Sequence, residues 1–513
     1  MIGRTLLFTS VLIGATGFAW LASAQDESDA LRYSLLSPQG TARSIGFGGA
    51  LGAIGGDFSS LGVNPAGIGV YRSSELTFTP SLKLNSSSST YTGAATDDNA
   101  TRFNINNLGV VFTSAATGKR YNNSKWKSAS FGIGINRIAD FNSNHVYSGY
   151  NSSSSASEVF VTDLMNYPAD SLNLATFAGL GFSSFLTNYY YDTNGTMSFY
   201  FLPNFQTGLN QTRKVEQRGG ITDVNISFGG NYMEKLMLGA TIGIPTIRYL
   251  RDVTLREEDA SGNPNNDFSY FEYKESLKTT GTGINLKLGF IYNFTSNFRA
   301  GAAFHTPTFF GMTDVQNRSI TSNTEGFKDY LGYGPDPFTH VDADPNEYNY
   351  SIITPWRAVL SAAGIIGKYG FISMDYEFVD YSSARFSFDD LHSYDEEEVN
   401  NGIKAMYKGG HNVRLGGEVR FDIVMFRLGF GYYSNPYKNT ALGSERLNYS
   451  AGVGLRFDNI FFDLGFNHTS ATMTEKPYVV IYPESANVDP VDVPTATMKN
   501  SYNNLAMTVG VKF

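Results

Sequence analysis

The last nine residues constrain this chain more than any other feature. From Leu505 to Phe513 every odd position is apolar, while the even positions carry Ala506, Thr508, Gly510 and Lys512. A period of two sends the two sets to opposite faces of a β-strand. The same code recurs over Val413–Phe421, Tyr449–Phe457 and Ile284–Tyr292, with Asn, Arg, Lys and Gly between the apolar positions. After Ala24 no stretch reaches the roughly 18 apolar residues of a membrane-crossing helix. A chain patterned in this way is a soluble β-sandwich or a β-barrel in a membrane.

Composition narrows the choice. Only 17% of the residues are charged, whereas 39 Phe, 32 Tyr and 53 Gly are present. The glycines fall largely on the small, polar face, as a crowded or wet lumen tolerates. Apolar faces often end in Tyr or Phe, which suits the aromatic girdles of a membrane barrel. The chain closes on Phe513 inside a strand, which resembles the signal read by the barrel-assembly machinery of bacterial outer membranes. The absence of cysteine excludes a disulfide framework, Cys-ligated zinc and Fe–S clusters. A net charge of −9 without basic blocks excludes nucleic acid as the main partner.

The chain begins with Arg4, an apolar run from Leu6 to Leu21 and the small residues Ala22-Ser23-Ala24. This predicts a secretory leader over 1–24, cut after Ala24. Fourteen strands are then predicted, at 75–85, 103–114, 128–142, 221–232, 235–257, 268–294, 296–306, 352–366, 369–379, 411–422, 424–433, 447–457, 459–468 and 502–513. An even number suits a single-chain bacterial barrel. The links alternate in length: turns as short as Met233-Glu234 on one side, and long external loops at 143–220, 307–351, 380–410 and 469–501 on the other. The link at 116–127 is the one long turn on the short side. The expected fold is an all-β membrane protein, a 14-stranded antiparallel transmembrane β-barrel over 75–513.

Residues 25–74 do not alternate. A short helix is predicted near Asp29–Leu36, with Asp26 or Ser28 as its cap. A glycine-rich coil leads on to Asn64-Pro65-Ala66-Gly67, where Asn-Pro marks a turn and Gly67 permits a positive φ. No Lys-Ser/Thr follows at the spacing of a phosphate loop. Small residues suit a compact plug inside a lumen.

This tetrapeptide, ahead of fourteen strands, resembles the N-terminal hatch of the FadL-type outer-membrane transport proteins. So do Gly283–Phe290 through Phe298-Arg299-Ala300-Gly301 to Thr306-Pro307, Thr354-Pro355-Trp356-Arg357, and Val413–Glu418 through Phe430–Pro436. The resemblance runs from about residue 30 to Phe513. It implies a monomeric barrel in the outer membrane of a Gram-negative bacterium, in contact with lipid and lipopolysaccharide and plugged by 25–74. It also implies passive transport of hydrophobic small molecules, long-chain fatty acids among them, with lateral escape at a kinked strand near the hatch. The third strand is the candidate, because its alternation is clear at Phe131, Ile133 and Ile135 and blurs from Arg137 to Asn142. Some barrels of this type serve instead as protein-binding components of secretion or attachment machinery, and that is the alternative.

The polar parity would face the lumen. It carries Lys83, Lys287, Arg299, Arg357, Arg414, Arg420, Arg427, Arg456 and Lys512 against Asp375, Glu377, Glu418 and Asp463. A basic lumen suits a carboxylate headgroup. Arg299 and Arg357 are the chosen ligands, since no acid of the same strand face stands beside either. Loop 143–220 adds Phe177, Leu180, Phe182 and Phe185 within a possible apolar-faced helix, Leu172–Leu186, either as a capture groove or as a cap over the barrel mouth. Neither a cofactor, a metal site nor an enzyme is expected: the six histidines form no triad, Asp389-Asp390-Leu391-His392 sits in a polar loop, and no acidic run matches a calcium loop.

Overall fold

The structure is a computed structural model that describes residues 26–513 apart from 38, 167–172, 196, 330–331, 335–337, 389–392 and 483–490. The expected leader, Leu172 and the Asp389–His392 run lie outside the described residues. Among those described, no helix is long and apolar enough to cross a membrane.

The wall is a closed barrel of fourteen antiparallel strands. They are β1 (Glu75–Tyr91), β2 (Ala94–Ala115), β3 (Trp126–Asp140, continued by Ser143–Asn151), β4 (Leu209–Tyr232), β5 (Leu236–Asp259), β6 (Tyr270–Asn293) and β7 (Phe298–His305, continued by Phe309–Asn323). There follow β8 (Asn346–Ile353, continued by Arg357–Ile365), β9 (Gly370–Asp380), β10 (Gly409–Phe421), β11 (Val424–Tyr433), β12 (Arg446–Arg456), β13 (Ile460–Glu475) and β14 (Ala496–Lys512). Each pairs with the next, and β14 closes on β1 from Glu75↔Lys512 to Thr90↔Thr497. Closure satisfies the backbone groups that lipid cannot. At the Met233-Glu234 turn both residues take positive φ, +57° and +61°, the backbone hand that matches strand twist in a two-residue hairpin.

Parity sorts the two faces as the sequence implies. On β5 the outward positions run Leu238, Ala240, Ile242 and Ile244 and then change to Thr246, Arg248 and Asp252. Phe290, Leu288, Leu286 and Ile284 of β6 give way to Thr282 at the same level, where Thr222, Thr246 and Thr282 are cross-strand partners. The outward apolar belt is therefore about nine residues tall, the length of a bilayer-spanning strand. Above it the strands continue. Ser143–Asn151, Leu209–Gly220, Phe309–Asn323 and Ala496–Ser501 are strand where loops were expected, so the wall projects beyond the belt and the true loops are shorter. Conversely, the 116–127 link contains a helix, Gly118–Asn123.

Residues 26–72 lie against the inward face of this wall. Helix α1 (Glu27–Ser34) is capped by Asp26, whose side chain accepts from the Asp29 N–H. A short helix, α2 (Ala42–Gly46), and 3-10 turns at Phe58–Gly62 and Pro65–Val70 follow. The Ala42 N–H donates to Thr508 Oγ1 of β14 at 2.7 Å, and the Gly52 N–H donates to Asp375 of β9 at 3.1 Å. Asn64 Nδ2 donates to the carbonyl of Phe290 on β6 at 3.1 Å. These contacts reach distant sectors of the barrel. They also account for wall glycines: a Cβ at Gly239 would lie 2.2 Å from the Pro65 carbonyl oxygen, and one at Gly465 2.2 Å from that of Ala42. The inner face is crowded rather than wet at these points. Gly67 differs from expectation. It is not among the positive-φ residues; it is small because a Cβ there would come within 2.4 Å of Ser60 Oγ.

Candidate functional site

The lumen charges are mostly spent on one another. Arg427 bridges Glu418 (2.6 Å) and Asp463 (2.7 Å), Arg456 also reaches Asp463 (2.8 Å), and Arg43 of α2 joins at Glu418 (3.2 Å). Arg414 lies 3.5 Å from Glu377 and 3.7 Å from Asp375. Lys287 pairs with Asp223 and Lys512 with Glu75, two inward acids the sequence tally missed. Arg420 is exposed at the turn, where its Nε donates to the Asp422 carbonyl. The apparent basic excess is therefore largely neutralised.

The two arginines chosen from the sequence belong to this bracing. Arg357 donates to Glu377 at 3.1 Å and to the Ser34 carbonyl. An acid does stand beside it, because β8 and β9 set Arg357 opposite Val379 and thus diagonal to Glu377. Arg299 donates to the Ile54 carbonyl at 3.2 Å. Phe177 and Leu180 are buried in a cluster with Phe160, Phe271 and Tyr273, on a helix Phe177–Ser183 that is shorter than expected. Phe182, stacked on Tyr189, and Phe185, at φ +61°, are half-buried. In this arrangement the apolar groups pack as a cap. None of these six residues lines the cavity that runs beside Leu31 and Leu35 of the N-terminal segment.

That cavity measures about 300 Å³. One side is apolar: Leu31 and Leu35 from the N-terminal segment, with Phe141, Leu442, Met473 and Met498. The other is polar. Cross-strand pairing sets Lys83 of β1 opposite Asn504 of β14, and Asn504 opposite Asn467 of β13. All three are buried. Lys83 forms no salt bridge among the described residues; its Nζ donates to Gln39 Oε1 at 2.7 Å. Both amide atoms of Asn504, and the Oδ1 atoms of Asn467 and Asn500, have no hydrogen-bond partner among the described residues. Buried polar atoms of that kind are costly, and here they all belong to residues lining the cavity.

The wall is broken beside this cavity. β2 and β3 pair only from Asn107↔Asn136 to Ala115↔Ser128. Past that point β2 is hydrogen-bonded to β1 alone, with Ser143–Asn151 running close to both without a ladder, and Asn106 is bulged out of register. β3 shifts register at Arg137/Ala139 and stops at Asp140. The break is built, not frayed. The Phe141 N–H donates to the Gly219 carbonyl at 3.1 Å, Asp140 Oδ1 accepts from the Asn142 N–H at 3.0 Å, and Arg137 holds Asp140 at 3.0 Å. Gly219 sits at φ +116°, and a Cβ there would lie 1.9 Å from the Arg248 carbonyl, so only glycine fits. Among the described residues one weak hydrogen bond joins β2 to β3 beyond the ladder, Asn104 Nδ2 to Asp140 Oδ2 at 3.5 Å, and Asn85 of β1 donates to the Asn142 carbonyl at the break. Ala139, Asp140, Phe141, Asn142 and Ser143 all line the cavity.

Above the belt the cap rests on a buried carboxyl. Glu257, with no exposed surface, accepts from Ser155 Oγ at 2.5 Å, the Ala156 N–H at 2.7 Å and Gln211 Nε2 at 2.6 Å. Burial pushes its pKa up to about 7, against the lowering pull of those hydrogen bonds. The packed cap holds this proton more firmly than an open one. Its stability is therefore highest below the ordinary carboxylate pKa and falls as pH rises toward about 7. Hydrogen exchange over 155–166, corrected for intrinsic rates, should quicken roughly tenfold or more between pH 5 and pH 8. Glu257→Gln should remove most of that dependence, leaving the part due to Glu158, whose pKa burial also raises, and an unchanged pH slope in the variant would dismiss Glu257 as its source.

No protein-family model and no curated protein matches the sequence. Solved structures do. A Pseudomonas aeruginosa FadL homologue superposes with a TM-score of 0.53 at 11% identity, over 94% of this chain and 100% of that one. The Pseudomonas putida toluene transporter TodX does so with a TM-score of 0.50 at 12% identity, over 93% of this chain and 99% of that one. The closed fourteen-stranded wall agrees with that likeness. The chain therefore has the fold of the FadL-type outer-membrane transport barrels.

Proposed function

We propose that this protein carries hydrophobic small molecules passively across an outer membrane, with residues 25–74 as the hatch and the β2–β3 break as the sideways exit. The observation that carries this reading is the adjacency of an apolar-sided cavity to a structured gap in the wall. A molecule in the cavity meets Phe141 and Asn142 at the break and need not pass the hatch. No energy source is required, because transfer into lipid is downhill for apolar surface.

Within that reading the cargo is a long-chain fatty acid or a similar amphiphile, and Lys83 replaces Arg299 and Arg357 as the headgroup ligand. A buried carboxylate needs a paired cation, and Lys83 is a cavity-lining cation without an acid in contact. The unpartnered Nδ2 of Asn504 can donate beside it. Leu31, Leu35, Met473 and Met498 would hold the chain. Lys83→Met should weaken oleate binding roughly tenfold to a hundredfold and leave a hydrocarbon of equal length nearly unaffected. Titration of purified protein with both ligands checks this. Equal losses would show that Lys83 supports the cavity rather than the headgroup, and no loss for oleate would remove the fatty-acid assignment while leaving hydrocarbon passage standing.

A further inference from the structure

We infer that the outward face of β4–β6, immediately above the apolar belt, is a binding site for a phosphate-bearing lipid of the outer leaflet. The level is fixed by the threonine row Thr222, Thr246 and Thr282, below which the outward side chains are apolar. In the next two outward rows stand Arg218 of β4, Arg248 of β5 and Lys278 of β6, all exposed. Arg218 and Lys278 both pair with Leu250, one from each side. Arg248, two residues before Leu250, is diagonal to both. Such diagonal neighbours lie roughly 7–8 Å apart, so the three cations form a triangle spread over three strands.

Their partners differ from those of the charges above them. Higher on the same face, Lys214 pairs with Glu216 at 2.6 Å, Lys274 with Glu272 at 2.7 Å and Arg256 with Glu258 at 2.7 Å. Arg218 shares this network through Glu216 at 2.8 Å and Asp252 at 3.7 Å. Arg248 and Lys278 have no salt bridge among the described residues. Upper rows thus neutralise themselves, while the row nearest the belt keeps free positive charge in a protein whose net charge is −9. Across the barrel the level carries a single cation: Ser86, Ser501 and Ser470 stand side by side on β1, β14 and β13, and the next outward row holds Lys499 between Ser88 and Thr472.

The two rows stand two to four residues beyond the threonine row, about 7–13 Å along the strand, at the level of the lipid headgroups. Arginine and lysine there meet phosphate oxygens with charge-assisted hydrogen bonds, while Ile242 and Ile244 below meet acyl chains. The occupant is accordingly an amphiphile with phosphate at its headgroup, not a soluble anion. The site faces away from the lumen and is independent of the transported cargo.

Diphosphoryl lipid A, presented in neutral detergent micelles, is the probe, with binding read by native mass spectrometry. It should bind the wild-type chain, and Arg248→Gln with Lys278→Gln together should weaken it roughly tenfold or more. Dephosphorylated lipid A should show the same loss on the wild-type chain. Lys499→Gln, which removes an outward cation from β14, should change nothing. Millimolar inorganic phosphate should not compete. Equal affinity in the double variant, equal affinity for the dephosphorylated lipid, an equal loss from Lys499→Gln, or displacement by inorganic phosphate would each overturn the inference. Oleate binding should be the same in all variants, which keeps this test separate from the assignment of Lys83.

Discussion

Deleting residues 26–72 is expected to convert a barrel that passes almost no ions into an open pore, with conductance in planar bilayers raised roughly tenfold or more. The segment makes wall contacts at Thr508, Asp375 and Phe290 on β14, β9 and β6. Phe47, Leu51, Ile54, Phe58 and Leu61 fill the space between as buried side chains. Fourteen strands enclose more interior than inward side chains alone can fill. Loss of the segment would also strand Asp375, whose carboxylate accepts the Gly52 N–H, and Glu418, which shares Arg43. Should the deletion fail to assemble, Gly239→Val with Gly289→Val tests the same claim in a full-length chain. Their side chains would be driven into Pro65 and Asn64, since Cβ atoms alone come within 2.2 Å of the Pro65 carbonyl and 2.0 Å of Asn64 Oδ1. Unchanged conductance in a correctly folded deletion would mean that this segment is no hatch.

Much of the wall was legible because lipid and lumen impose opposite chemistry on alternate residues. Leu505–Phe513 and Ile284–Tyr292 read as strands for that reason, and Met233-Glu234 read as a turn because nothing but a turn fits between two such runs. Legibility stopped at the top of the belt. Over Ser143–Asn151 and Leu209–Gly220 the outward face meets water instead of lipid, so both faces are polar or small and the period of two loses its contrast. These stretches looked like loop and proved to be wall.

The site was less legible, because it depends on register. Arg357 looked unpaired along its own strand; its acid, Glu377, sits on the neighbouring one. Asp223 was overlooked at the uncertain start of its predicted strand, so Lys287 looked free. Lys83 was placed in the lumen by parity, yet its isolation shows only once β14 is laid beside β1 and sets Asn504 against it. The blurred alternation at Arg137–Asn142, by contrast, coincided with the break, since a strand that leaves its neighbour no longer needs a lipid face. The apolar side chains of 177–185 carried no signal that separates a groove from a cap, as both bury the same groups.

The second large effect concerns the break itself. Cargo that leaves sideways must part β2 from β3 beyond Asn107 and Asn136, where no ladder holds them. Only the contact of Asn104 with Asp140, 3.5 Å long, ties the two edges among the described side-chain hydrogen bonds. On the outer side Phe103 is 69% exposed and offers an apolar threshold to lipid. A covalent tie at this point would keep the gap from widening and leave the hatch and the cap untouched; Asp140 lines the cavity, so the reduced double variant, which lacks the same carboxylate, is the reference. The chain contains no cysteine, so Asn104→Cys with Asp140→Cys introduces the only thiols. Uptake of a labelled hydrophobic compound by cells bearing the double variant, measured oxidised and then reduced, is the most direct test. Oxidation should cut uptake roughly tenfold or more, to the level of cells without the barrel, and reduction should restore it to the level of the reduced double variant, while uptake by each single variant should not respond to oxidation. Full uptake through a barrel shown by mass spectrometry to be completely cross-linked would contradict lateral exit at the β2–β3 break.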